Sequence, residues 1–165
     1  MKSIHAALLG AGLLTVSATA AAAPTCHGKL ASLQVYAGGY DGRKLLAEPA
    51  VAVPLTKLLG PALRQLQKTL DVAGPVDLVG CNLVVAGNAQ MKGGEEDAIV
   101  DINLYSGAVA AGIQSGRRIR IYAADADYSH LPIAVRDWAV VAATGFRYRA
   151  RPPANTLLVS PRHGR

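Results

Sequence analysis

The spacing of apolar positions along the chain changes character three times, and each change marks a different kind of segment. Behind Lys2, residues 6–16 (AALLGAGLLTV) form an unbroken apolar and small run, followed by small residues at alternating spacing through Ala22. This is the layout of a signal peptide, with an apolar core shorter than the about 20 residues of a membrane span. Cleavage is expected after Ala22, since a cut after Ala23 would leave Pro24 directly behind it. The expected organisation is therefore a signal peptide over 1–22, one domain over 23–146, and a tail over 147–165. The location is periplasmic or secreted.

Within the domain, Leu33 and Val35 alternate before Gly38-Gly39, which predicts a short strand over residues 29–40. Leu45, Leu46, Val51, Leu55, Leu58 and Leu59 recur at one to two helical turns and predict a helix over 45–59. Pro49 suits its first turn, whereas Pro54 would kink or split it. A second helix begins at Pro61, with Leu63, Leu66 and Leu70 as its stripe. From Gly74-Pro75 onward the period falls to two. Strands are predicted over 76–86, 98–104, 108–114 and 117–123, with turns at Tyr105-Ser106-Gly107 and Ser115-Gly116. Ile119 and Ile121 would share one face while Arg118, Arg120 and Tyr122 share a wet one. In the second strand Val100 and Ile102 form the apolar face, opposite Ile99 and Asp101. A last helix over 131–144 opens with Pro132, stops at Gly145, and turns Val135, Trp138 and Ala142 inward. The fold class is α/β in the α+β sense: an antiparallel β-meander with helices packed on it.

Charge and cysteines sharpen this picture. The net charge is +6, but Lys2 and the tail residues Arg147, Arg149, Arg151, Arg162 and Arg165 account for all of it. A formally neutral domain argues against nucleic acid as a partner. The tail is basic and expected to be loosely held, with residues 156–159 as an optional edge strand. The 51% apolar composition is enough for a core without obligatory disulfides. Two cysteines in an exported chain suggest a single bridge, Cys26 to Cys81, from the N-terminal segment to a predicted strand. The alternative is two free or buried thiols. No later segment is long and apolar enough to span a bilayer.

Little in the chain points to catalysis. His130 is the one histidine well inside the domain, and a surface role in a first helical turn accounts for it. No His/Cys grouping has metal-ligand spacing, and Gly93-Gly94 does not open onto a helix as a phosphate cradle would. No cofactor and no metal are expected. Glu95, Glu96 and Asp97 are consecutive, so on a strand their side chains would diverge, and a solvated turn explains them. An enzyme using Asp101 or the 95–97 acids is the reading these residues would otherwise support.

The segment 87–97 is longer than the about two to five residues that usually join a hairpin. A loop held out by a rigid sheet is a common binding element, and Asn88, Ala89, Gln90, Met91, Lys92, Gly93 and Gly94 are its candidate residues. Met91 and Lys92 fall near the tip, one a flexible apolar contact and the other a cation.

The succession of a Cys-bearing strand, this Gly-rich loop, AIVDINL, a turn at SG, AVAAGI, RIRIY and LP-x-A-V-R-D-W resembles the Ivy-type periplasmic inhibitors of lysozyme over residues 76–138. The resemblance implies an antiparallel sheet with helices on it and a loop that plugs a lysozyme cleft. Ivy-type proteins close that loop with Cys-Lys-Pro-His-Asp-Cys-Gly, whose histidine reaches the catalytic carboxylates. With Gly94 matched to the motif's glycine, Asn88 and Gly93 stand at the cysteine positions and Met91 at the histidine. Without that closure the loop is expected to be unconstrained and to pay ordering entropy on docking.

Two functions follow as expectations. One is inhibition of a lysozyme or other peptidoglycan-cleaving enzyme through the loop, with Lys92 engaging the paired carboxylates of a glycosidase cleft. The other is an envelope module whose basic tail adheres to anionic polymer or lipid, weakening with salt.

Overall fold

A computed structural model describes residues 25–125, 127–144 and 152–161. The expected signal peptide and all five tail arginines lie outside the described residues. Among the described residues are four α-helices and a seven-stranded sheet.

The helical N-terminal part comprises α1 (Gly42–Ala47), α2 (Pro49–Leu59) and α3 (Leu63–Thr69). The single helix expected over 45–59 is broken at Glu48, whose ψ of 128° is extended. A residue before proline is pushed out of the helical region, so the break falls at Glu48-Pro49, while Pro54 sits inside α2. The strand expected over 29–40 is instead a 3-10 helix, Ala31–Tyr36, whose amides are spent locally: Leu33 N–H donates to Leu30 C=O and Ala37 N–H to Gln34 C=O.

The sheet is built on four antiparallel strands in sequence order: β3 (Asn82–Asn88), β4 (Asp97–Asn103), β5 (Val109–Ser115) and β6 (Arg118–Tyr122). On the outer side of β3 lie β1 (Val72–Ala73) and β2 (Asp77–Val79), two pieces of one edge interrupted at Gly74-Pro75. The expected strand 76–86 is thus two strands, turning at Gly80-Cys81 where Gly80 takes φ +61°. The opposite edge is β7 (Thr156–Val159), parallel to β6, so the optional edge strand is formed. Parallel neighbours require a long crossover, and α4 (Ile133–Thr144) lies within it.

Both faces of the sheet are covered, which corrects the expectation of one wet face. Leu83, Val85, Val100, Ile102, Ala111 and Ile113 pack with Leu45, Val51, Leu55 and Leu66 of α1 to α3. On the other face Val84, Ile99, Ala110, Ile119 and Ile121 pack beneath Val135 and Ala139 of α4. Tyr122, placed on the wet side by alternation, is buried against the first helical layer. Trp138 packs against the second cluster together with Ala142, as expected. It lies so close to β5 that a Cβ at Gly112 would come within 2.3 Å of its Cζ3.

Cys26 and Cys81 form the expected disulfide. Because Cys81 sits in the β2–β3 turn, the bridge anchors the N-terminal segment to the end of a hairpin, not to the middle of a strand. That segment also runs against the β4–β5 turn, with Lys29 N–H donating to Tyr105 C=O and Leu30 N–H to Leu104 C=O.

Candidate functional site

The β3–β4 ladder ends at the pair Asn88 and Asp97, and residues 89–96 continue past it. Asn88 is therefore the last strand residue. Ala89 N–H donates to Glu96 C=O at 2.9 Å, adding one rung beyond the sheet. The chain then makes two successive tight turns: in the first Lys92 N–H bonds Ala89 C=O, and in the second the amides of Glu95 and Glu96 both bond Lys92 C=O. Met91 stands at the tip, 96% exposed, with φ +58°. It is the one described non-glycine residue in the left-handed region. A non-glycine residue there is sterically disfavoured, so the surrounding bonds must hold it.

Side chains close the loop further. Lys92 Nζ pairs with Glu96 Oε1, the Gly94 amide donates to both Asp97 carboxylate oxygens, and Asn88 Nδ2 donates to Ala89 C=O. The base is tied to the β5–β6 turn, where Gly116 N–H donates to Glu95 C=O and Gln114 Nε2 to Gly94 C=O. Of the consecutive acids, Glu96 and Asp97 thus serve the loop's own architecture. The expectation of an unconstrained loop is corrected: backbone and side-chain hydrogen bonds link its limbs and tie its base to the neighbouring turn. Sequence reasoning passed over Gln114, although a Gln in the apolar strand AVAAGIQ was a visible signal of a buried polar anchor.

Not all seven candidate residues are presented to solvent. Ala89 is buried, and Gln90, Met91, Lys92, Gly93 and Gly94 are exposed. Lys92 is held above the usual lysine range by its bond to Glu96. Asn88 and Gly93, matched to the cysteine positions by the resemblance, lie close to each other. A Cβ at position 93 would lie 3.7 Å from Asn88 Cγ, and Gly93 has no left-handed φ to forbid a side chain. The two positions face each other across the loop.

The second polar grouping lies at the other end of the same strands, about 20 Å away along a seven-residue strand. Asp101, 1% exposed, has its Oδ1 bonded by Asn82 Nδ2 at 2.6 Å, while its Oδ2 is buried without a partner. Burial pushes this carboxyl up to about 6, against the lowering effect of the Asn82 bond. His130 closes a 3-10 turn, Tyr128–His130, and is exposed. Its Nδ1 lies 3.2 Å from Asp125, a bond that raises the imidazole pKa. Among the described residues no three His, Cys, Asp or Glu side chains come together to hold a metal ion. No described helix is long and apolar enough to cross a membrane.

A two-sided α+β sheet that holds out a closed polar loop defines a class of small loop-bearing domains. Residues 50–144 match the family model described as inhibitor of vertebrate lysozyme (Ivy), a span that takes in β1 to β6, α4 and the loop, and the chain belongs to that family. In general terms, membership implies lysozyme inhibition, a lysozyme as partner, and a non-catalytic protein. No curated protein and no solved structure matches the chain.

Proposed function

We propose that the protein is exported and inhibits a lysozyme or related peptidoglycan-cleaving enzyme by inserting residues 90–93 into its cleft. One observation carries the reading: the β3–β4 connection extends beyond the sheet and is closed by its own hydrogen bonds, with Met91 fully out in solvent at the tip. A loop already held in one shape loses less entropy on docking, which favours binding. Met91 supplies an apolar contact that adapts to the cleft wall. Lys92 supplies the charge complement to the carboxylate pair of a glycosidase. Its ammonium has three donors, of which Glu96 occupies one, so it can reach a second carboxylate without leaving the first.

The reading is tested by following the backbone amides of isotope-labelled protein during titration with a c-type lysozyme. The expected result is saturable shifts concentrated at residues 89–96 and the adjoining 114–117 turn. Shifts centred elsewhere on the surface, with the loop silent, would overturn it.

A further inference from the structure

We propose that the cleft between the end of α2 and the β6–β7 edge binds a small carboxylate with an aliphatic body, held through the Arg120 guanidinium. The cleft measures about 640 Å³. That falls within the roughly 300–1,000 Å³ of small-molecule sites. One wall is the last turn of α2, the 3-10 turn Gly60–Ala62 and Gln65 of α3. The other is Arg120 and Tyr122 of β6 with Val159 of β7. No residue of the 88–97 loop lines it, so this site stands apart from the inhibitory reading.

The strand geometry places the guanidinium in the cleft. β6 is paired on both sides, by β5 and β7, so the surface that half-buried Arg120 shows is its side chain. Ile119 and Ile121 pack beneath α4, and alternation turns Arg120 to the helical face beside Tyr122. There Arg120 Nη2 donates to Gln65 Oε1 at 3.4 Å, from one wall of the cleft to the other. That bond is long and uses one of five guanidinium donors. Among the described residues Arg120 Nε and Nη1 make no hydrogen bond, yet neither is a buried unpartnered atom, so both keep surface open to solvent.

Charge selects an anion. Lys57 and Arg120 line the cleft and no Asp or Glu does, and among the described residues neither cation is paired with an acid. A planar guanidinium matches a carboxylate through two parallel N–H groups, the strongest kind of hydrogen bonding open to it. The last carbonyls of α2 oppose an anion, and Lys57 in that turn offsets them. The walls select the rest of the ligand. Leu58, Pro61, Val159 and Pro161 offer an aliphatic chain apolar surface to cover. An inorganic anion would leave those walls unused, and a neutral alcohol would leave Arg120 without its counter-charge.

The test uses purified protein near neutral pH, with hexanoate as probe, 1-hexanol as its neutral counterpart and inorganic phosphate as an anion with no apolar body. The readout is the Arg120 Nε–H resonance together with the backbone amides of residues 57–60. Saturable shifts with hexanoate that neither 1-hexanol nor phosphate reproduces are the expected result. In Arg120→Gln the apparent affinity should fall at least about tenfold, the loss of one charged hydrogen bond. Three outcomes would overturn the proposal: no saturable shift up to about 20 mM, weaker than a millimolar site; equal shifts with 1-hexanol or phosphate; or undiminished affinity in Arg120→Gln. The comparison of probes on the unaltered protein stands even if the variant fails to fold.

Discussion

Restoring the bridge that this chain lacks is the sharpest perturbation of its loop. The double substitution Asn88→Cys with Gly93→Cys places two thiols where a Cβ at 93 already lies 3.7 Å from the Cγ of residue 88. The closed loop spans about six residues, for which chain entropy in the unfolded state contributes about 2 kcal/mol. Removing the Asn88 amide forfeits its bond to Ala89 C=O, worth about 1 kcal/mol. The net gain expected is about 1 kcal/mol, read as a higher denaturant midpoint at unchanged slope under non-reducing conditions. Thiol titration and intact mass report whether the bridge forms alongside Cys26–Cys81. Because hydrogen bonds already hold the loop, inhibition of lysozyme should change by less than about tenfold. Failure of the thiols to pair would refute the facing of 88 and 93. A larger gain in inhibition would show that the loop had been loose.

Three further perturbations bear on the scaffold. Replacing Cys26 and Cys81 together by Ala opens a 55-residue closure and should cost up to about 4 kcal/mol, visible in a denaturant melt with and without reductant. Gly112→Ala drives a methyl into the Trp138 ring from 2.3 Å and should cost about 1–3 kcal/mol, with a changed tryptophan emission marking the displaced ring. Asp101 has a folded pKa of about 6, above its unfolded value of 3.8, so folding takes up a proton. Its penalty is absent below about pH 4, grows between about 4 and 6, and is constant above, at roughly 3 kcal/mol. Asp101→Asn should therefore match the wild type at pH 4 and exceed it at pH 7.5 in urea unfolding. Equal differences at both pH values would contradict the burial argument.

The parts of the fold legible in the sequence are those in which one physical pattern dominates. The strands 98–104, 108–114 and 117–123 alternate cleanly between Gly-bearing turns and fall within a residue or so of β4, β5 and β6. The disulfide followed from compartment and cysteine count. What was missed depended on tertiary partners. Leu33 and Val35 have the spacing of a strand, but Val35 is 81% exposed and, among the described residues, no strand pairs with theirs. Residues 76–86 read as one strand because apolar residues flank both sides of Gly80-Cys81, and only Gly80's positive φ reveals the turn. The Arg118/Arg120 alternation suggested a wet face because nothing local announces that α1 to α3 cover it. Arg120 instead lies near Gln65, at 3.4 Å. At the candidate site the loop's position was legible and its closure was not, since the bonds from Gln114 and Gly116 come from a different hairpin.

The central claim is that the tip of this loop blocks a lytic enzyme. It is met most directly by measuring lysozyme activity on a cell-wall suspension against rising concentrations of the wild type, Met91→Asp, Lys92→Glu, and the remote surface variant Val35→Ser. The account predicts inhibition by the wild type and by Val35→Ser alike, and a loss of at least about tenfold in both loop variants, whose added charge would face the cleft carboxylates. Inhibition that survives both loop substitutions undiminished would contradict it.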